Sequence, residues 1–146
     1  MLMDWDEIPI GGETGRIEFE ITDELIDEYI AAIEHDPELL TDEVDPDGRR
    51  VAPLDLVPKH AMRTLFIDYI FANLGPSMRA KQAYQFVNPA KVGMKISAIG
   101  RISNKYEKRG KRFVAFETTY FDQDGMPLLH DRRAVVVLGE NFRPRG

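Results

Sequence analysis

The segment "DLVPKH" sets a carboxylate, Asp55, and an imidazole, His60, five positions apart. Such a pair can take and return a proton near neutral pH. Two further histidines, His35 in "EHDPELL" and His130 in "LLHDRR", each stand beside an aspartate, Asp36 and Asp131. There is no cysteine, which excludes disulfides, thiolate zinc sites and cysteine nucleophiles. Neither a metal site nor a cofactor is expected from the pattern.

Whether Asp55 and His60 can act together depends on the element beneath them. Asp55 fits an N-cap whose side chain satisfies free N–H groups, and Pro58 is tolerated in a first turn that has no backbone bond to lose. Five positions along a helix then carry the two side chains about 140° apart around the axis. Catalysis by His60 is one reading, although the two side chains would not converge on one atom from a single chain. The alternative is a packed or surface histidine. His130 reads as an exposed strand residue.

Upstream, "RIEFEI" (16–21) alternates in the period of a half-buried strand. Thr22 offers an N-cap to a helix reaching about Glu34, with Asp23 and Glu24 in its first turn and Ile26, Ile30 and Ile33 on one stripe. The Pro- and Asp-rich stretch from His35 to Arg50 cannot continue that helix. The run "AMRTLFIDYIFANL" (61–74) is apolar almost all round and predicts a helix buried at the centre of its domain. Strand-like segments follow, with hairpin turns at Gly110 and Gly125. One buried helix and an antiparallel meander make an α+β domain in which the sheet wraps the helix. The whole chain, 1–146, reads as a single such domain with irregular tails at 1–14 and 140–146.

The charge is uneven. Residues 1–76 carry 19 acidic and 5 basic side chains, whereas residues 77–146 carry 6 and 14, within a formal net charge of −6. The second half could present a cationic surface to a phosphorylated ligand. No helix-turn-helix, RRM or zinc pattern accompanies it, so nucleic acid is not the expected partner. No apolar run approaches the roughly 20 residues a membrane span needs, and no basic leader opens the chain. A cytoplasmic location and no membrane partner are expected.

The order of elements resembles the hot-dog fold, and the motifs resemble the MaoC-like dehydratase family. "AYQFVNPAKVGMKISAIGRI" is similar to that family's "P-x-x-x-G-D" segment, with Met94 in place of the acidic residue. "NKYEKRGKRFVAFETTYFDQDGMPL" resembles its next hairpin, and "DELIDEYIAAIEHDPELLTDE" with "RRVAPL" its first helix, overhanging loop and entry to the central helix. The likeness covers roughly residues 15–139. It implies an acyl thioester of coenzyme A or acyl carrier protein as ligand, and addition or removal of water across Cα–Cβ.

In that family the acid and imidazole come from "D-x-N-P-x-H" after the first helix, and the enolate oxygen is held by N–H donors at the N-terminus of the central helix. Here "EHDPELL" offers His35 and Leu40 at those two positions, or Glu34 and Leu39 when aligned on Pro37. Either way a leucine stands where the imidazole belongs. The resemblance places the thioester oxygen at the N–H groups of Leu54 and Asp55, and His35 and Asp36 in the active-site loop. Lys105, Lys108, Arg109, Lys111 and Arg112 are candidates for coenzyme A phosphates, or simply a solvated turn. Met62, Phe66, Tyr69 and Ile70 are candidates to line an acyl tunnel.

The expected function is therefore that of a dyad-lacking subunit of a (R)-3-hydroxyacyl dehydratase or enoyl-CoA hydratase, paired with a catalytic hot-dog chain. Two alternatives stand beside it. One is an independently active hydratase or thioesterase using His60; the other is a silent homodimer that binds acyl-CoA.

Overall fold

The computed structural model describes residues 2–32 and 44–138. A short 3-10 turn, Trp5–Glu7, precedes β1 (Glu13–Glu20) and α1 (Asp23–Ala32). The central helix α2 opens at Leu56–Met62 and runs on through two π-helical stretches, Arg63–Ile67 and Ile70–Leu74. Four strands complete the chain: β2 (Ser77–Phe86), β3 (Lys95–Lys108), β4 (Lys111–Phe121) and β5 (Pro127–Val137). All pairings are antiparallel, in the order β1-β3-β4-β5-β2.

Local chemistry fixes most of these boundaries. The Thr22 hydroxyl accepts a hydrogen bond from the Leu25 N–H at 3.1 Å, capping α1 as its sequence predicts. Between β3 and β4 the chain turns on Arg109 and Gly110, both at positive φ (53° and 75°), the geometry whose twist matches a two-residue hairpin. Gly125 supplies the same freedom before β5 (φ 81°). The residues before β1, read as an irregular tail, are tied down at both ends: Met3 N–H donates to the Asn73 carbonyl at 2.8 Å and Gly11 N–H to that of Ile102 at 2.7 Å.

β1 begins at Glu13, three residues ahead of the alternating stretch, and the reason lies under it. A Cβ on Gly15 would stand 2.2 Å from the Thr64 carbonyl oxygen of α2. Only a glycine lets strand and helix approach so closely. At the same turn the Thr14 hydroxyl donates to the Leu65 carbonyl at 2.7 Å. The helix widens there, with Asp68 N–H reaching five residues back to the Arg63 carbonyl, as π-bulges do where an outside group presses on the backbone.

The inner face of the sheet and one face of α2 enclose the core: Phe66, Phe116, Tyr120, Leu65, Ile102 and Val114 are all buried. Phe66 meets Phe116 edge-on at 5.6 Å between ring centres, an arrangement worth about 0.5–1.5 kcal/mol beyond burial itself. The expected all-round burial of α2 is not what the chain achieves. Arg63, Thr64, Asp68, Phe71 and Ala72 are exposed, Phe71 by 71%, because the curled sheet covers only one side of the helix. The architecture is otherwise the α+β hot-dog arrangement that the order of elements implies.

Candidate functional site

At the mouth of α2, Asp55 has a helical backbone (φ −79°, ψ −8°) and its side chain makes no capping hydrogen bond. Asp55 stands at the expected N-cap position, but the capping bond expected of its side chain is absent. A capping side chain is aimed at the next N–H groups by an extended backbone, and the helical backbone of Asp55 does not aim it there. Its carbonyl instead accepts from Lys59 N–H at 3.1 Å, while its carboxylate lies 3.8 Å from the Lys59 ammonium. His60 is exposed and lays its ring against Phe19, 4.5 Å between centres. Among the described residues nothing hydrogen-bonds to it, and it does not meet Asp55. Leu54 is exposed by 61% and precedes the first helical turn, whose earliest N–H groups have no intrahelical acceptor. Pro58 is buried in that turn without disrupting it. His35 and Asp36 lie outside the described residues.

The basic hairpin stands at the other end of the molecule. Phe19 and His60 meet near the start of α2, whereas the segment carrying Trp5 docks near its end, where Tyr69 hydroxyl donates to Met3 Sδ at 3.6 Å. Lys105 donates to the Trp5 carbonyl at 2.7 Å, and the Arg112 guanidinium sits 5.2 Å over the Trp5 ring and bonds Glu107 at 3.0 Å. Lys108, Arg109 and Lys111 are exposed at the turn. About 25 Å of helix, at 1.5 Å per residue, separates this cluster from Leu54 and Asp55. The cations therefore do not border the helix mouth of their own chain. Of the side chains read as tunnel candidates, Phe66 is wholly buried against Phe116, Tyr69 faces the same ring at 6.5 Å, and Met62 and Ile70 are half-buried.

Two polar clusters on β4 and β5 were missed from sequence. On the inner face, Asp131 is fully buried with Arg133, whose side chain is 6% exposed; Arg133 Nη2 bonds Asp131 Oδ2 at 2.5 Å, and its guanidinium lies 4.3 Å over Phe66. Burial pushes the Asp131 carboxyl above its usual range, with Arg133 pulling the other way. Beside the pair, the hydroxyls of Thr118 and Tyr120 are buried without hydrogen-bond partners among the described residues. Tyr84 pairs across from Asp131 in register and is also pushed up by burial. On the outer face, His130 Nδ1 lies 2.7 Å from Thr119 Oγ1 and Nε2 2.5 Å from Glu117 Oε1, within a groove of about 1150 Å³. His130 is thus a half-buried, twice-bonded residue rather than an exposed one. The period-2 alternation of "HDRRAV" held the signal for both clusters, since it throws Asp131 and Arg133 to one face and His130 to the other.

An antiparallel five-stranded sheet curled on one long helix, its helix mouth open to solvent, defines the hot-dog class. The chain belongs to the FAS1-like, dehydratase-domain-region family, whose model matches residues 9–131, and so to the MaoC-like group its motifs resemble. No curated protein matches its sequence. Among solved structures, it is similar to a monoamine oxidase regulatory protein from Archaeoglobus fulgius (17% identity, TM-score 0.75, covering 93% of this chain and 94% of that one). It is also similar to a chain of the 3R-hydroxyacyl-ACP dehydratase complex HadBC from Mycobacterium tuberculosis (22%, TM-score 0.68, 87% and 96%). A third is the R-hydratase PhaJ1 from Pseudomonas aeruginosa (17%, TM-score 0.66, 99% and 96%). At these identities the likeness is one of fold.

Proposed function

We propose that this chain is the acyl-thioester-binding, dyad-lacking subunit of a (R)-3-hydroxyacyl thioester dehydratase, working beside a catalytic hot-dog chain. The observation that carries the reading is the state of its helix mouth. Asp55 is held by Lys59, and His60 is turned onto Phe19. The loop where the family carries its acid and imidazole reads "EHDPELL", with leucine in the imidazole's place. Hydration of an enoyl thioester needs a base to take a proton from water as oxygen bonds Cβ, and an acid to deliver a proton to Cα. A leucine does neither. What would serve binding is the positive end of α2, where the resemblance places the thioester oxygen at the N–H groups of Leu54 and Asp55 and where a developing oxyanion is favoured. HadBC, described as a 3R-hydroxyacyl-ACP dehydratase complex, supports a reading in which this chain works within a complex.

The test is hydration of crotonyl-CoA and a longer enoyl-CoA by the purified chain, by a hot-dog chain from the same source that carries an intact "D-x-N-P-x-H", and by both co-expressed. Negligible turnover by this chain alone and a strong gain in the pair are expected. Ordinary enzyme rates from the single chain, abolished by His60→Ala with the fold intact, would overturn the proposal in favour of an independent enzyme.

A further inference from the structure

The His130 cluster lies on the outer face of the sheet, turned away from α2. β4 sends Glu117 and Thr119 to that face two positions apart, and β5 pairs His130 directly with Thr119. The imidazole is held from both sides: Nε2 stands 2.5 Å from Glu117 Oε1, and Nδ1 stands 2.7 Å from Thr119 Oγ1. A carboxylate only accepts, so Nε2 of the neutral ring carries the proton and Nδ1 is left to accept from the hydroxyl. Hydroxyl to imidazole to carboxylate is the order that activates a weak nucleophile. The two ring nitrogens are exchanged relative to the serine-protease arrangement, and the direction of proton transfer is the same.

The surroundings suit a carbonyl substrate. All three side chains line one groove of about 1150 Å³, room enough for a small molecule. Ile99 and Phe121 give the groove apolar wall, and Arg16 and Arg101 add cations. Arg101 stands opposite Glu117 in the β3–β4 register and so diagonal to Thr119, a separation of about 7–8 Å that a long side chain spans. Its charge can meet a carbonyl oxygen as that oxygen turns negative. A threonine–histidine pair that served only the sheet would need one ring nitrogen; here both are engaged, inside a concave site.

We propose that Thr119, His130 and Glu117 form a hydrolytic site, separate from the helix mouth, that cleaves small carboxylic esters. Thr119 Oγ1 bonds the ester carbonyl carbon while its proton passes to His130 Nδ1, and Glu117 stabilises the imidazolium. Arg101 faces the oxyanion. The C–O bond to the alcohol then breaks, the imidazolium proton goes to the departing alkoxide, and the acyl group is left as an ester on Thr119. Water gives a proton to Nδ1 and its oxygen to the acyl carbon, and Thr119 takes the proton back as the carboxylic acid leaves.

The purified chain is mixed with p-nitrophenyl acetate, and the acid-quenched protein is mapped by peptide mass spectrometry. A burst of nitrophenolate and an acetyl group on Thr119 are expected. Thr119→Ser should keep both and Thr119→Val should lose both, while Glu117→Gln should slow the burst by about a hundredfold or more, each with unchanged circular dichroism. Acetyl groups confined to lysines or to the imidazole, a burst that survives Thr119→Val, equal rates in Glu117→Gln, or no burst at all would each overturn the proposal. Enoyl-CoA hydration plays no part in this test, so the hydrolytic site and the subunit reading stand or fall separately.

Discussion

Asp131 and Arg133 show what one overlooked pair of residues does to a sequence argument. Charges in a strand are normally assigned to the wet face, and "HDRR" reads that way; alternation along β5 instead carries both into the core, where each is the other's main compensation. Burying two ions costs several kcal/mol apiece, and their attraction offsets this only while both are present. Asp131→Ala is therefore expected to destabilise the fold by about 3–5 kcal/mol, through the uncompensated guanidinium left over Phe66. Replacing both, Asp131→Leu with Arg133→Leu, should restore most of the loss. Urea unfolding of the two variants measures this, and an additive double-mutant cycle would show that the pair is not coupled. His60 illustrates the opposite lesson. Its rotation relative to Asp55 followed from helix geometry alone, and the structure keeps the two apart.

The elements were legible where a short-range rule governs them. Thr22 caps its helix, Gly110 and Gly125 turn their hairpins, and the apolar run from Ala61 forms the central helix. Reading failed where a distant backbone decides. Nothing local announces that Gly15 lies under Thr64, that β1 must start early to place it there, or that α2 widens at the point of contact. The closeness of that crossing yields a measurable expectation. Gly15→Ala puts a methyl 2.2 Å from a carbonyl oxygen that cannot rotate away, so strand or helix must shift, at a cost of about 3 kcal/mol. Thermal unfolding should show it directly. Gly11→Ala is the companion: its Cβ would meet nothing within 4 Å, leaving only the strain of its positive φ.

At the scale of the whole molecule, one side of α2 and the outer edge of β2 are unfinished surfaces. Phe71 is 71% exposed near the end of α2, and Phe86 is 38% exposed at the last residue of β2, its ring near that of Tyr84. No described strand pairs with the outer edge of β2, and open strand edges and exposed aromatics are commonly covered by another chain. The composition predicted an apolar helix at the centre of a domain; five strands from one chain are too few to surround it, and a second sheet joined at β2 would complete the enclosure. No helix among the described residues is long and apolar enough to cross a membrane, so that helical face is not accounted for by a span. If another hot-dog chain is the cover, burying each phenylalanine should contribute about 1.5–3 kcal/mol to association. Phe71→Asp and Phe86→Asp are then each expected to weaken pairing by about tenfold or more, while monomer stability holds because neither side chain belongs to the core. Sedimentation of the wild-type chain, alone and with its catalytic partner, against the two variants decides it: particles of one-chain mass throughout would mean that the exposed edge has no such mate.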